Sequence, residues 1–176
     1  MKPPAFNLHW QLLPYDSRRS KRLLRFDMAF PVDDAVFQDR GCRTKLADSE
    51  LEKPAANGTM TKMLITFEHK AFSWEVDVKN AHGIRCRDVF EAIHKTFNEQ
   101  LTIEERRLVC DRRAVEEAFR LRCRLAPGPP EVERSLGWKR VDVLLHQTIF
   151  LGLTQPKSGS DWVLHLGPPP RTPGLS

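Results

Sequence analysis

The apolar positions are densest near the end of the chain, where residues 148–153 read Thr-Ile-Phe-Leu-Gly-Leu. An extended chain with this order is apolar on both sides, which is typical of a strand buried on both faces. Turn-forming residues fill 155–160, and alternating apolar residues return over 161–166. The pattern predicts a hairpin that closes the fold, with its first strand in the centre of a sheet.

Three earlier segments also have the alternation of strands. The first, 21–28, has one apolar side and stops before Pro31, which favours a half-buried strand. The other two, 62–68 and 74–78, are separated by only a few residues and therefore predict neighbouring antiparallel strands. Residues 33–61, in contrast, are polar and mixed in charge, without a stable apolar face. Because so long a connection is uncommon in a compact domain, we expect a flexible or functional loop there.

Two helices are expected between these strands. The first has a buried face at helical spacing, formed by Cys86, Val89, Phe90, Ile93 and Phe97. The second is predicted from Thr102, which forms a capping box with Glu105, to Ala126, because the prolines that follow cannot continue a helix. Residues 137–146 suit a short helix and a strand equally well.

These elements predict an α+β fold, with a mainly antiparallel sheet of about five strands packed by two consecutive α-helices in a single domain. The predicted boundaries are an N-terminal arm at 1–20, the domain at 21–166 with a long loop at 33–61, and a disordered proline-rich tail at 167–176.

The composition adds limits rather than chemistry. The 176 residues suit one domain, and the apolar runs are far shorter than the roughly 20 residues that cross a bilayer. Since the N-terminus also lacks the apolar core of a secretory signal, we expect an intracellular protein, cytoplasmic or nuclear, without a membrane partner. The four cysteines are widely spaced, so we expect no metal site, disulfide framework or cofactor. A net charge of +5 discriminates weakly between partners.

Several short segments, in order, carry a resemblance to a known family: Leu24-Arg-Phe-Asp-Met28, Trp74-Glu-Val-Asp-Val78, Arg87-Asp-Val-Phe-Glu-Ala-Ile93, Arg140-Val-Asp-Val-Leu144, Phe150-Leu-Gly-Leu153 and Trp162-Val-Leu164. From about Leu24 to Leu166 the chain resembles a fungal domain of unknown function, the DUF6699-like family, which is abundant in mushroom-forming species. Arg85 stands where the family pattern favours a Thr that could cap the first helix. The resemblance implies a fold and supplies no catalytic residue.

Candidate catalytic groups are few. No nucleophile–base set, phosphate-binding glycine loop or carboxylate pair appears as a motif. His82 and Cys86 could form a thiolate–imidazolium pair, but a turn histidine beside a buried thiol is the simpler interpretation. The Arg-x-Asp sequences at 25–27 and 140–142 favour structural ion pairs, and Asp88 suits the positive end of the first helix.

Two histidines of the closing elements could meet across the hairpin, but without a third ligand they would make a poor metal site. Together with three aspartates they decide between packing and catalysis, and the five residues are Asp27, Asp88, Asp142, His146 and His165. Scattered positions would be explained by packing, whereas a shared cleft would indicate a mechanism.

Two basic clusters are candidate contacts for nucleic acid or a protein partner: Arg18, Arg19, Lys21, Arg22, Arg106, Arg107, Arg112 and Arg113. Guanidinium groups neutralise phosphates, but glutamates interleave on the predicted second helix and no aromatic platform for bases accompanies it. A solvated helix face is therefore favoured.

We expect a non-catalytic protein-interaction module whose loop at 33–61 or proline-rich tail contacts an unknown protein partner. Weak nucleic-acid binding through the basic clusters and an unrecognised hydrolase or transferase are the alternatives. No pattern indicates the oligomeric state.

Overall fold

The computed structural model describes residues 6–18, 22–156 and 161–169. Within these ranges short 3-10 turns lie at Trp10–Leu12 and Val32–Asp34. The strands are β1 (Leu23–Arg25), β2 (Val36–Asp39), β3 (Cys42–Lys45), β4 (Lys62–His69), β5 (Phe72–Lys79), β6 (Ile149–Thr154) and β7 (Trp162–Gly167). The helices are α1 (Asp48–Leu51), α2 (Cys86–Phe97), α3 (Ile103–Arg107), α4 (Arg112–Leu125), α5 (Pro130–Ser135) and α6 (Arg140–Val143).

The strands form two sheets, so the α+β class is confirmed but the single sheet of about five strands is wrong. An antiparallel sheet has the order β1-β2-β3, and a second has the order β5-β4-β7-β6. The predicted antiparallel pairs β4–β5 and β6–β7 are present, while β4 and β7 pair in parallel. The number of helices was underestimated because three of the six have only four or five residues, too few to show a period.

The segment 33–61 is structured, so the prediction of a long loop is wrong. It contains β2, β3 and α1, and its buried apolar residues include Ala35, Phe37, Leu46, Leu51 and Ala55. Arg40 and Gly41 both have positive φ, as the two central residues of a tight hairpin require. The signal was hidden because each strand has only four residues and β3 is exposed along its whole length.

Strand β6 is the last strand of its sheet, not a central one as its pattern indicated. Its outer edge is nevertheless paired, because the chain that follows β1 runs beside it. The Phe150 amide donates to the carbonyl of Phe26 at 2.9 Å, and the Met28 amide donates to that of Thr148 at 3.0 Å. Pairing on both edges explains why β6 has the composition of an interior strand.

Helix α2 buries all five residues of the predicted face and packs on β5, where Trp74 and Phe97 make an edge-to-face contact at 5.5 Å. The predicted second helix is instead two, because the Asp111 side chain accepts from the Ala114 amide at 3.0 Å and starts α4 anew. The capping box of Thr102 and Glu105 is formed as predicted. The undecided segment 137–146 contains α6.

The residues 6–18 pack on the domain through Leu8 and Leu12, which are buried. The backbone of Leu13 and Pro14 lies directly on Gly152 of β6, whose φ is +121°. This contact positions the arm above the edges of both sheets. Residue 167 belongs to β7 rather than to the predicted tail, and residues 170–176 lie outside the described ranges. No helix of the described ranges is long and apolar enough to cross a bilayer.

Candidate binding groove

A groove of about 510 Å³ lies between α4, α6 and the segment that follows β1. Its polar lining comprises Asp27, Glu117, Arg122, Asp142, His146 and Thr148. Its apolar lining comprises Ala29, Phe30, Ala114, Ala118, Leu121, Leu125, Val141, Leu145 and Pro169. The groove is therefore mostly apolar, with polar groups concentrated on one side.

The apolar wall comes from a second stripe on α4. One face of this helix is buried in the domain through Val115, Phe119 and Cys123. The residues at i, i+4, i+7 and i+11 from Ala114 form the groove wall, and they are Ala114, Ala118, Leu121 and Leu125. Leu121 and Leu125 are 48% and 59% exposed, although leucine on a helix normally packs inward. This second period was readable in the sequence and was missed.

A buried ion pair forms one end of the groove. Arg122 makes a two-pronged contact with Asp142, with distances of 2.8 and 3.0 Å, and both side chains are almost fully buried. Asp142 also accepts from the Lys139 amide, and Arg122 also donates to Glu133, each at 2.8 Å. Burial alone would lower the pKa of Arg122, but the hydrogen bonds and charge of Asp142 outweigh it and raise that pKa. The pair is structural, as the sequence favoured, but its cation comes from α4.

Asp27 is a carboxyl without a cation. Its Oδ1 accepts from the Ala29 amide at 3.0 Å, and the Thr148 hydroxyl donates to the same carboxyl. Burial raises the pKa of Asp27 because it removes the charged form from water, and these two hydrogen bonds only partly oppose the effect. No Lys or Arg among the described residues pairs with it, and the ion pair expected with Arg25 does not form, since Arg25 donates to Gln38.

Family comparison agrees with the order of these elements. A family model described as a family of unknown function, DUF6699, matches residues 24–161. The chain belongs to this family. No curated protein and no solved structure matches the chain. Membership in DUF6699 assigns no activity, and the fungal origin stays a prediction.

The groove of this DUF6699 member gathers three of the five residues chosen to separate packing from catalysis: Asp27, Asp142 and His146. Of the other two, Asp88 accepts from the Arg85 amide at 2.8 Å and caps α2, while His165 is hydrogen-bonded to Thr154 at 2.6 Å. Asp142 is committed to Arg122, and no Ser, Cys or Lys lines the groove in the described part of the chain. The arrangement suits binding better than nucleophilic chemistry.

The cysteines and histidines do not form another centre. Burial raises the pKa of the Cys86 thiol to about 12, so it does not form the thiolate of a thiolate–imidazolium pair with His82. Across the described ranges, no three His, Cys, Asp or Glu side chains are grouped closely enough to hold a metal ion.

The two basic clusters lie on different elements. Arg19 and Lys21 fall outside the described residues, and Arg22 lies over the Phe37 ring at 5.7 Å. The other described members are exposed, and they are Arg18, Arg106, Arg107, Arg112 and Arg113. Arg113 pairs with Glu117 at 3.4 Å, which uses part of the second cluster within α4 itself.

Proposed function

We propose that the domain is a non-catalytic protein-interaction module, and that its α4–α6 groove binds a polypeptide segment with one Lys or Arg between apolar residues. The observation that carries the proposal is the juxtaposition of an exposed leucine stripe with a carboxyl that has no cation. The loop at 33–61 is not the contact segment in this proposal, because it is part of the folded core.

The leucines supply the apolar part of the argument. Contiguous apolar surface rimmed by polar groups marks interaction sites on soluble proteins. Leu121 and Leu125 are about half exposed, so covering each one would contribute roughly 1 kcal/mol, half of what full burial of a leucine contributes.

Asp27 supplies the charge. A cation brought to it would replace the missing counter-ion, and a hydrogen bond to a charged group contributes about 1.5–3 kcal/mol. Arg122 cannot serve, because Asp142 and Glu133 hold it. The groove is thus complementary to a basic residue flanked by apolar ones.

Backbone strain supports the same location. Leu145 lines the groove and has a φ of 57°, a left-handed conformation that costs a branched side chain about 1–2 kcal/mol. Such conformations cluster at functional sites, where the surrounding structure maintains them.

The test is a peptide-display selection on the purified domain, followed by fluorescence anisotropy with the enriched peptides. We expect enrichment of one Lys or Arg flanked by Leu, Ile or Phe. Leu125→Gln and Asp27→Asn should each weaken binding about tenfold. Ile103→Gln is the matched control, because Ile103 is a 67% exposed apolar residue outside the groove.

Two outcomes would refute the proposal. One is a selection that enriches no basic–apolar sequence. The other is a peptide affinity that neither Leu125→Gln nor Asp27→Asn changes.

Nucleic-acid binding is a second candidate, favoured by one observation: no ion pair holds the side chains of Arg106, Arg107 or Arg112 in the described part of the chain, and all three are exposed. A titration with a labelled oligonucleotide at two salt concentrations tests it. Affinity that falls with salt and drops in Arg107→Gln would support it, and salt-independent or absent binding would exclude it.

A further inference from the structure

A second concavity, smaller and more enclosed than the groove, lies beneath the N-terminal arm. Residues 10–16 cross over β1 and β6 and enclose a cleft of about 110 Å³. Its apolar walls are formed mainly by Trp10, Leu13, Tyr15, Leu23, Phe150 and Leu151. No residue lines both this cleft and the α4–α6 groove. The inference below is therefore independent of the proposed peptide site.

The cleft contains a cation without an anion. Arg25 lines it, and its Nε donates to the neutral Gln38 amide oxygen at 2.8 Å. No carboxylate in the described ranges pairs with Arg25, and burial together with the charge of Arg43 lowers its pKa. A partly buried guanidinium in this position is stabilised by an anion that reaches it from the cleft.

The cleft wall also contains an acceptor without a donor. Gln11 is 1% exposed, and its Nε2 donates to the Glu50 backbone carbonyl at 3.1 Å and to the Glu50 carboxylate at 3.3 Å. These bonds fix the orientation of the amide. Its Oε1 is buried and has no hydrogen-bond partner in the described structure, although buried polar atoms normally have one. A hydroxyl or N–H group of a ligand would supply it.

We propose that this cleft binds a small organic acid, with its carboxylate on Arg25, its ring or short branched body under the arm, and a hydroxyl or N–H near Gln11. The volume sets the size. A cavity of about 150 Å³ accommodates benzene, so about 110 Å³ within an open-mouthed cleft suits a body no larger than one ring.

The arm makes the site possible only because Gly152 has no side chain. Its α-carbon supports the backbone of Leu13 and Pro14, which form one wall of the cleft. The site is consequently built from both ends of the chain.

The experiment is an NMR titration that follows the Trp10 indole signal, with 4-hydroxybenzoate as the probe and 4-hydroxybenzamide as its uncharged control. We expect a saturable shift with the acid, and at least about tenfold weaker binding of the amide. Arg25→Gln should weaken the acid by a similar factor. Lys45→Gln, on the neighbouring β3 and outside the cleft, should change it less than about twofold.

The proposal is wrong if the acid gives no saturable shift up to about 10 mM, where affinity is too weak to be specific. It is also wrong if the amide binds as tightly as the acid. Should Arg25→Gln fail to fold, the comparison of acid with amide on the wild-type protein still decides the question.

Discussion

The sharpest stability prediction concerns Gly152, where the arm and β6 touch backbone to backbone. A Cβ on this residue would lie 2.3 Å from the Pro14 nitrogen and 2.6 Å from the Leu13 carbonyl carbon. Both atoms belong to the backbone, so no side chain can rotate away. Gly152 also has a φ of +121°, which L residues rarely adopt. Gly152→Ala must therefore move the arm, the strand or both.

Two routes give a similar magnitude for the loss. If the backbone contact is kept, the strained conformation alone costs about 1–3 kcal/mol, and the steric overlap adds to this cost. If the arm detaches instead, Leu8 and Leu12 lose burial, at roughly 1.5–3 kcal/mol each. We therefore expect Gly152→Ala to lower the free energy of unfolding by about 3–5 kcal/mol.

Urea unfolding followed by tryptophan fluorescence measures this loss, and limited proteolysis shows whether the arm has detached. Gly128→Ala is the matched control, because no atom lies within 4 Å of a Cβ at Gly128 and its φ is not positive. The control should be neutral or stabilise by up to about 1 kcal/mol. A Gly152→Ala protein within about 0.5 kcal/mol of wild type would refute the reasoning.

Three further predictions concern buried polar groups. Arg122→Met should destabilise the protein by about 3–5 kcal/mol in urea unfolding, because it leaves the Asp142 carboxylate buried without a cation; the double variant with Asp142→Asn should lose less, and an equal or larger loss would contradict this explanation. Since burial raises the pKa of Asp27 above its unfolded value, wild type should lose stability as the pH rises through that pKa. Asp27→Asn should remove this loss, so that its advantage is larger at about pH 7 than at about pH 4, and an advantage that does not grow with pH would count against it. A thiol reagent should modify the two exposed cysteines of the native protein at once and the two buried ones, including Cys86, only after unfolding; rapid native labelling of all four would contradict the burial.

The candidate sites show where reading the chain alone stops. The residues at 114, 118, 121 and 125 have a helical period that could have been recognised, yet a period does not reveal which stripe of a helix is covered. Asp27 and His146 were named as residues to follow, but their common groove depends on α4, which is far from both in sequence. The cleft under the arm was not predicted, because Trp10, Arg25 and Leu151 come from three distant segments.

The amino-acid sequence by itself determined the parts of this protein that depend on neighbouring residues. The buried face of α2, the capping box at Thr102, and the antiparallel pairs β4–β5 and β6–β7 follow from short-range period, capping and turn chemistry. Tertiary structure alone decided what depends on distant partners. It paired β4 with β7 in parallel, stabilised four-residue strands within 33–61, and placed a cation on α4 beside Asp142. The physical reason is that local patterns record which side of an element is apolar, whereas the contacts that make a site are chosen only when the whole core closes.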